Sequence, residues 1–223
     1  MSAPIDPVLA ALVKQNAEWV QEVNCTDPGF FPRSAEGQDP KVLWIGCADS
    51  RVPESVITKS MPGAIFTHRN IANQVFANDP NAVSVITYAL LELGVEHIIV
   101  AGHSHCGGVA VCLDEHLTQD QKAICFESRA TATWPPPAPI DEWLTPLRKL
   151  AESYPHPPTL QELVEENVRQ QVKKVVELPV VQSQLGKPGA KLKGIHGWWY
   201  ELETGYVHDL NVSVYGARTR PAE

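Results

Sequence analysis

With 223 residues, 43% of them hydrophobic and 20% charged, the chain has the composition of a water-soluble globular protein and the length for one domain with a sizeable core. A formal net charge of -8 argues against nucleic acid as the main partner, and no apolar run has the length that spans a bilayer, which argues against a membrane protein. The N-terminus lacks the charged start and apolar core of a secretory signal, no arginine precedes Arg33, and five cysteines are an odd number for a disulfide framework, so a reducing cytoplasm is the expected setting.

In chain order, Asp6-Pro7 predicts a helix start, with Asp6 as N-cap and Pro7 at the first helical position. Val8, Leu9, Leu12, Val13, Trp19, Val20 and Val23 then fall on one helical face, which either a subunit partner or the chain's own domain must cover. Lys41-Val42-Leu43-Trp44-Ile45-Gly46 is a short apolar run leading into Cys47 and reads as a buried strand; Ala64 to His68 reads as a second. A helix is expected from about Asn81 to Leu93, stopped by Gly94 as a C-terminal cap. His97 to Gly102 is a third buried strand, followed at once by His103. Strand, helix, strand in this order predicts a parallel sheet with helical crossovers.

The stretch from Pro135 to Pro158 holds eight of the nineteen prolines and reads as an elaborated loop with a short helix from Ile140 to Leu150. A polar helix follows from about Leu160 to Leu178. Lys191 to Glu203 and Tyr206 to Leu210, separated by Thr204-Gly205, predict a closing β-hairpin.

Three groups of reactive residues stand at the ends of the predicted strands: Cys47-Ala48-Asp49-Ser50-Arg51, Arg69-Asn70, and Gly102-His103-Ser104-His105-Cys106-Gly107-Gly108. Ligands of open parallel sheets bind outside the carboxyl ends of the strands, so a site is expected there. Zinc favours thiolate and imidazole ligands, and a catalytic zinc takes three protein ligands with a fourth position open. Cys47 and Cys106 would supply sulfur and His103 nitrogen. His103 and Cys106 are three residues apart, near enough for one tight turn to aim both at a metal. The glycines after Cys106 predict a helix start, whose dipole would favour a thiolate. Each residue alone reads equally well as a packed thiol or a core histidine; their occurrence together with Asp49 and Arg51 argues for the site.

Two thiolates cancel the charge of zinc, so a bound water loses its proton less readily than beside three neutral imidazoles. A carboxylate is then needed to orient the nucleophile, and an arginine to hold the carboxylate. Asp49 and Arg51, at alternating positions of extended chain, point to one side, although a D-x-R elsewhere is usually a surface pair worth little.

Cys47-Ala48-Asp49-Ser50-Arg51-Val52-Pro53 together with Gly102-His103-Ser104-His105-Cys106-Gly107-Gly108 closely resembles the two signatures of the β-class carbonic anhydrases. The resemblance extends through His68-Arg69-Asn70-Ile71-Ala72-Asn73 to His196-Gly197-Trp198, roughly Lys41 to Leu210. It implies a zinc-dependent lyase that hydrates carbon dioxide reversibly to bicarbonate and a proton. Cys47, His103 and Cys106 would be the ligands, and Asp49 and Arg51 the catalytic pair. The implied fold is α/β, with a mostly parallel central β-sheet flanked by helices, an N-terminal helical arm over 1–40 and a C-terminal β-hairpin. The zinc-binding region is 41–223, in a single domain overall. The implied assembly is a homodimer in which the N-terminal helix wraps the partner, often paired into a homotetramer, which would cover the Val8 to Val23 stripe.

The resemblance also implies a switch. Family members divide by whether the fourth zinc position holds water or the aspartate, so Asp49 released by Arg51 would become the fourth ligand and close the site. Activity is then expected to be low below neutral pH and to rise above it. Trp44, Arg69 and Tyr200 match the bicarbonate-binding trio of the regulated subgroup, with Trp44 facing opposite to Cys47 because side chains alternate along a strand. They read otherwise as two core aromatics and a structural arginine. Met61 stands where the plant-like subgroup often has glutamine. Tyr88 lines an apolar carbon dioxide pocket or is a core residue of its helix, and His105 is a proton shuttle or a loop histidine. Cys25, Cys112 and Cys125 read as packing or free thiols, and His68 and His196 as structural. Two other functions fit the same residues: hydrolysis of carbonyl sulfide or carbon disulfide, and a non-catalytic zinc redox or interaction module with four protein ligands at every pH.

Overall fold

The computed structural model describes residues 5–113 and 139–216, and Cys125 lies outside them. The chain divides into two compact units, Met1–Gln38 and Asp39–Glu223. In the first, helix α1 spans Pro7–Thr26; the Asp6 carboxylate accepts from the Val8 amide at 2.8 Å and Pro7 occupies the first turn, as the sequence dictates. A short helix α2, Phe30–Glu36, follows, which the sequence reading did not separate from the arm. The apolar stripe of α1 splits into two parts. Trp19 packs edge-on to Phe31 of α2 at 5.5 Å and Val23 is buried, whereas Val8, Leu9, Leu12 and Val13 stay 56% to 68% exposed.

The second unit is built on a six-stranded sheet. Its strands are β1 (Val42–Cys47), β2 (Ile65–Asn70), β3 (His97–His103), β4 (Gly194–Tyr200), β5 (Val207–Asp209) and β6 (Val214–Tyr215). The order is β2-β1-β3-β4-β5; β1 runs parallel to β2 and β3, and β3 to β4. Strands β5 and β6 both pair antiparallel with β4, so the expected hairpin is present with a further two-residue strand behind it. The α/β fold with a mostly parallel sheet is as expected. Helices are α3 (Glu54–Ile57), α4 (Pro80–Tyr88), α5 (Gly107–Ala110), α6 (Pro139–Glu152), α7 (Leu160–Glu177) and α8 (Pro179–Gln184). Among the described residues no helix is long and apolar enough to cross a membrane.

Helix α4 begins at an Asp79 cap that accepts from Asn81 N at 2.9 Å. It widens into a π turn over Ala89–Leu93 and stops at Gly94, whose φ of 66° is the left-handed conformation glycine adopts without strain. Helix α7 starts with a reciprocal capping box: Thr159 Oγ1 accepts from Glu162 N at 3.2 Å and Glu162 Oε2 accepts from Thr159 N at 2.7 Å. Its composition is polar, but Leu163, Val164, Val168, Val172 and Val175 share a buried face. Gly197 lets that face approach the sheet. A Cβ there would lie 3.1 Å from Val168 Cγ1 and 2.5 Å from Val212 Cγ2.

Strand alternation sorts the core. Leu43 and Ile45 of β1, Ile98 and Val100 of β3 and Ile195 of β4 pack against Ile86 and Leu90 and against Val168 and Val172 of α7. Trp44, Ile99 and Ala101 form a smaller cluster with Ile57, Ile65 and Trp198. A third cluster gathers Cys47 and Cys106 with Leu144 and Leu147 of α6 and Leu163 and Val164 of α7.

Candidate metal centre

Strand β1 lies between β2 and β3, so the chain leaves it in one direction and returns on the other side. That reversal makes β1/β3 the topological switch point, where the carboxyl ends of parallel strands open a crevice. The register shows the opening. β1 pairs with β2 up to Cys47↔Asn70 and β3 with β4 up to His103↔Tyr200, but β1 and β3 pair only as far as Ile45↔Val100. Cys47 and His103 therefore stand on the two lips of a split sheet.

The turn after β3 brings Cys106 back to the same point. One ligand atom from each of Cys47, His103 and Cys106 lies within 4.8 Å of the others, and all three residues are buried. The sulfurs of Cys47 and Cys106 are 3.9 Å apart, far from the ~2.05 Å of a disulfide. Two thiolates at tetrahedral zinc, with bonds of ~2.3 Å, would stand about 3.8 Å apart. His103 Nδ1 donates to the Ser104 carbonyl at 2.8 Å, which leaves Nε2 with its lone pair free. That Nε2 is buried and has no hydrogen-bond partner among the described residues. A buried imidazole nitrogen without a partner beside two sulfurs fits a thiophilic divalent cation such as zinc.

The electrostatics agree. The Cys47 thiol is drawn well down, first by the hydrogen bond from Cys106 and then by His103, against its burial. Cys106 is pushed up by the same contact and by full burial, while the amides of Val109 and Gly108 pull it down. The helix start expected from the glycines is present, but α5 is a single turn, so it acts on the sulfur through these individual N–H groups.

Asp49 and Arg51 form the rim. The Asp49 carboxylate takes Arg51 N at 2.9 Å and Nε at 3.0 Å on Oδ1, and Nη2 at 2.7 Å on Oδ2. Arg51 holds this carboxyl down to about 2, against some burial. Oδ2 lies 3.9 Å from the lone-pair nitrogen of His103. The D-x-R segment is not the extended chain expected: Val52 N donates to the Asp49 carbonyl at 3.2 Å, and this turn folds Arg51 back onto the carboxylate as a bidentate pair beside the three-residue cluster.

Arg69 lies behind Cys47 and Asp49. Its Nε donates to the Cys47 carbonyl at 2.8 Å and Nη2 to the Asp49 carbonyl. Trp44 lies on the opposite face from Cys47, with its indole over Gly46 and edge-on to Trp198 at 5.9 Å. Tyr200 borders the cluster that contains Cys47 and Cys106. Trp44 and Arg69 share a face of the sheet, while Tyr200 packs against a different core cluster from Trp44. Tyr88 is half-exposed and stacks on Phe66 of β2 at 5.9 Å; Met61 is exposed. His105 pairs with Glu203, Cys112 is buried and Cys25 exposed. His68 accepts from Asn70 Nδ2, and His196 shares a 2.9 Å hydrogen bond with His97.

Sequence reasoning missed two sets of supporting residues. The loop after β2 carries Ala72 and Asn73 at φ of 60° and 47°, and it packs on Gly108 beside the metal-type cluster. Buried amides hold this loop. Gln74 Nε2 and Asn167 Nδ2 both donate to the Ala72 carbonyl, at 2.8 and 3.0 Å, and Gln171 Oε1 accepts from Val75 N at 2.9 Å. The second set is Ser104 with Glu203, 99 residues apart, which no local pattern could pair.

A mostly parallel α/β sheet with a thiolate–imidazole cluster at its switch point, and a carboxylate fixed by arginine over it, defines an enzyme of the metal-dependent α/β type. The sequence model of the carbonic anhydrase family matches residues 42–207. A carbonic anhydrase of Emericella nidulans is 34% identical over 213 residues, covering 92% of this chain and 84% of its own. Among solved structures, a tetrameric β-carbonic anhydrase of Sordaria macrospora is similar with a TM-score of 0.77 at 29% identity, covering 94% of this chain and 100% of its own. A β-carbonic anhydrase of Aspergillus fumigatus gives 0.74 at 34%, with 93% and 92% covered. The chain belongs to the β-carbonic anhydrases.

Proposed function

We propose that the protein hydrates carbon dioxide reversibly to bicarbonate and a proton, with zinc held by Cys47, His103 and Cys106. The observation that carries this reading is the bidentate Arg51–Asp49 pair, with Asp49 Oδ2 3.9 Å from a buried His103 nitrogen that has no hydrogen-bond partner among the described residues. Zinc bound there would supply Lewis acidity and make water a usable nucleophile near neutral pH. Asp49, ionised at any ordinary pH, acts only as an acceptor. It would accept a hydrogen bond from the reacting water and so turn the oxygen lone pair toward the carbon of carbon dioxide. Arg51 keeps both carboxylate oxygens occupied and so keeps Asp49 from becoming a fourth ligand. Val52, Ala72 and Val109 pack with Cys47 and Cys106, surroundings suited to a small uncharged substrate.

On this reading 41–223 carries the chemistry and 1–40 is an arm. The exposed Val8, Leu9, Leu12 and Val13 support assembly through that arm into a homodimer, or a tetramer like the Sordaria relative. The odd number of cysteines supports a cytoplasmic setting. Release of Asp49 from Arg51 would close the site, so activity is expected to rise from acid toward alkaline pH. Bicarbonate bound near Arg69, with Trp44 and Tyr200, would act on the same pair from behind, and support for this comes from the Arg69 contacts to the Cys47 and Asp49 carbonyls.

The test is a carbon dioxide hydration assay on purified protein of known zinc content. Hydration in the zinc-loaded wild type, lost on chelation and restored by zinc, is the expected result. A fully zinc-loaded protein without turnover at any pH overturns the reading in favour of a non-catalytic module.

A further inference from the structure

One short turn touches both the His103 imidazole and the Arg51 guanidinium. Ser104 offers its carbonyl to His103 Nδ1 at 2.8 Å, and His105 offers its carbonyl to Arg51 Nη2 at 3.1 Å. The same turn thus orients the ligand imidazole and anchors the guanidinium that holds Asp49. It is also a conformation that needs support, because His105 is a non-glycine residue at a φ of 51°. Its support comes from the connection between β4 and β5. The Glu203 carboxylate accepts from Ser104 Oγ at 2.7 Å with one oxygen and from His105 Nε2 with the other. Leu202 N donates to Ser104 Oγ at 2.8 Å, and Ser104 N to the Tyr200 carbonyl at 2.9 Å.

We propose that Glu203 is a positioning residue of the metal centre, fixing through the Ser104–His105 turn both the His103 imidazole and the Arg51 guanidinium. The proposal rests on the reading of Cys47, His103 and Cys106 as the zinc site. Glu203 is half-exposed and lies outside the apolar clusters, so its removal leaves the core packing intact. What it changes is the freedom of the turn. A looser turn lets Arg51 lose its hold on Asp49 and lets the His103 ring depart from its orientation toward the cluster.

The experiment compares the full chain with E203A, E203Q and E201A. Glu201 is the neighbouring carboxylate and bonds to Thr204 and His208, away from the turn. Three quantities are read: kcat and KM for carbon dioxide, the rate of zinc transfer to a chromophoric chelator, and the thiolate-to-metal absorption of the cobalt(II)-substituted protein. E203A is expected to lower kcat about tenfold at unchanged KM, to speed zinc release about tenfold and to shift the cobalt bands. E203Q restores all three, because an amide accepts from Ser104 and donates to the other tautomer of His105. E201A matches the wild type. Should E203A fold poorly, H105G removes the imidazole contact while allowing the left-handed backbone, and faster zinc release is expected there too. Zinc release and kcat at wild-type values in these variants, or E203Q as impaired as E203A, overturns the proposal. A wild type that holds no zinc overturns the functional reading instead, so the two failures are distinct.

Discussion

Arg51 grips Asp49 through both carboxylate oxygens, Nε at 3.0 Å and Nη2 at 2.7 Å, and the same Nη2 is anchored on the His105 carbonyl. A planar guanidinium can span two oxygens in this way and an ammonium cannot. Arg51→Ala should therefore cost hydration activity by about 100-fold or more, while zinc content stays near that of the wild type. Arg51→Lys should fall between the two. Stopped-flow hydration alongside metal analysis checks this; wild-type turnover in Arg51→Ala would remove the pair from the mechanism.

Cys106 is buried, and its sulfur is 3.9 Å from that of Cys47. Cys106→Ser should abolish both zinc retention and hydration, since a serine hydroxyl is a poor ligand beside a thiolate and an imidazole. Chelation of the wild type should lower its melting temperature, because a ligand of the folded state alone adds to its stability. An unchanged melting curve after complete metal removal would count against a site built in the folded core.

His97 and His196 share a 2.9 Å hydrogen bond, and both are held below the ordinary imidazole value, first by burial; burial does the same to His68. Below about 6.5 the unfolded chain binds protons that these rings resist. Their stabilising contribution is complete above that value and is lost as pH falls through the folded values. The melting temperature should drop between about pH 7 and pH 5.5, and His97→Gln with His196→Gln should flatten that slope. A slope equally steep in the double variant would place its origin elsewhere.

Arg69 donates to the carbonyls of Cys47 and Asp49, so it couples the back of β1 to the site. If bicarbonate binds there with Trp44 and Tyr200, Arg69→Ala should abolish inhibition by added bicarbonate. Undiminished inhibition in that variant would leave Arg69 a structural brace only.

Gly197 sits where α7 crosses the sheet, and a methyl group would meet Val212 at 2.5 Å and Val168 at 3.1 Å. Gly197→Ala should destabilise the fold by about 1–3 kcal/mol through overpacking. Urea unfolding reads this directly, and a loss under ~0.5 kcal/mol would show that α7 can shift to accommodate the group.

Much of this was legible in the sequence because its causes are local. The Asp6-Pro7 start, the Gly94 stop and the apolar runs of β1 and β3 each depend on a few neighbouring residues, and the structure keeps them. Local order missed α2, α8 and β6, whose short segments carry little periodicity of their own. It also gave no hint of the buried amides of Asn167 and Gln171, whose hydrogen bonds to Gln74 cross more than ninety residues of chain.

The cysteines, the histidine and the Asp49–Arg51 spacing were determined by the sequence alone, since residue type and separation set what chemistry a segment can offer. Only the tertiary structure decided that these segments meet, because the meeting depends on β1 and β3 parting after Ile45 and Val100 at the switch point of the sheet. It likewise decided what steadies them. Glu203 reaches the Ser104–His105 turn only because β4 lies beside β3, in register from His97↔Gly194 to His103↔Tyr200, and strand pairing of that kind is a property of the folded chain.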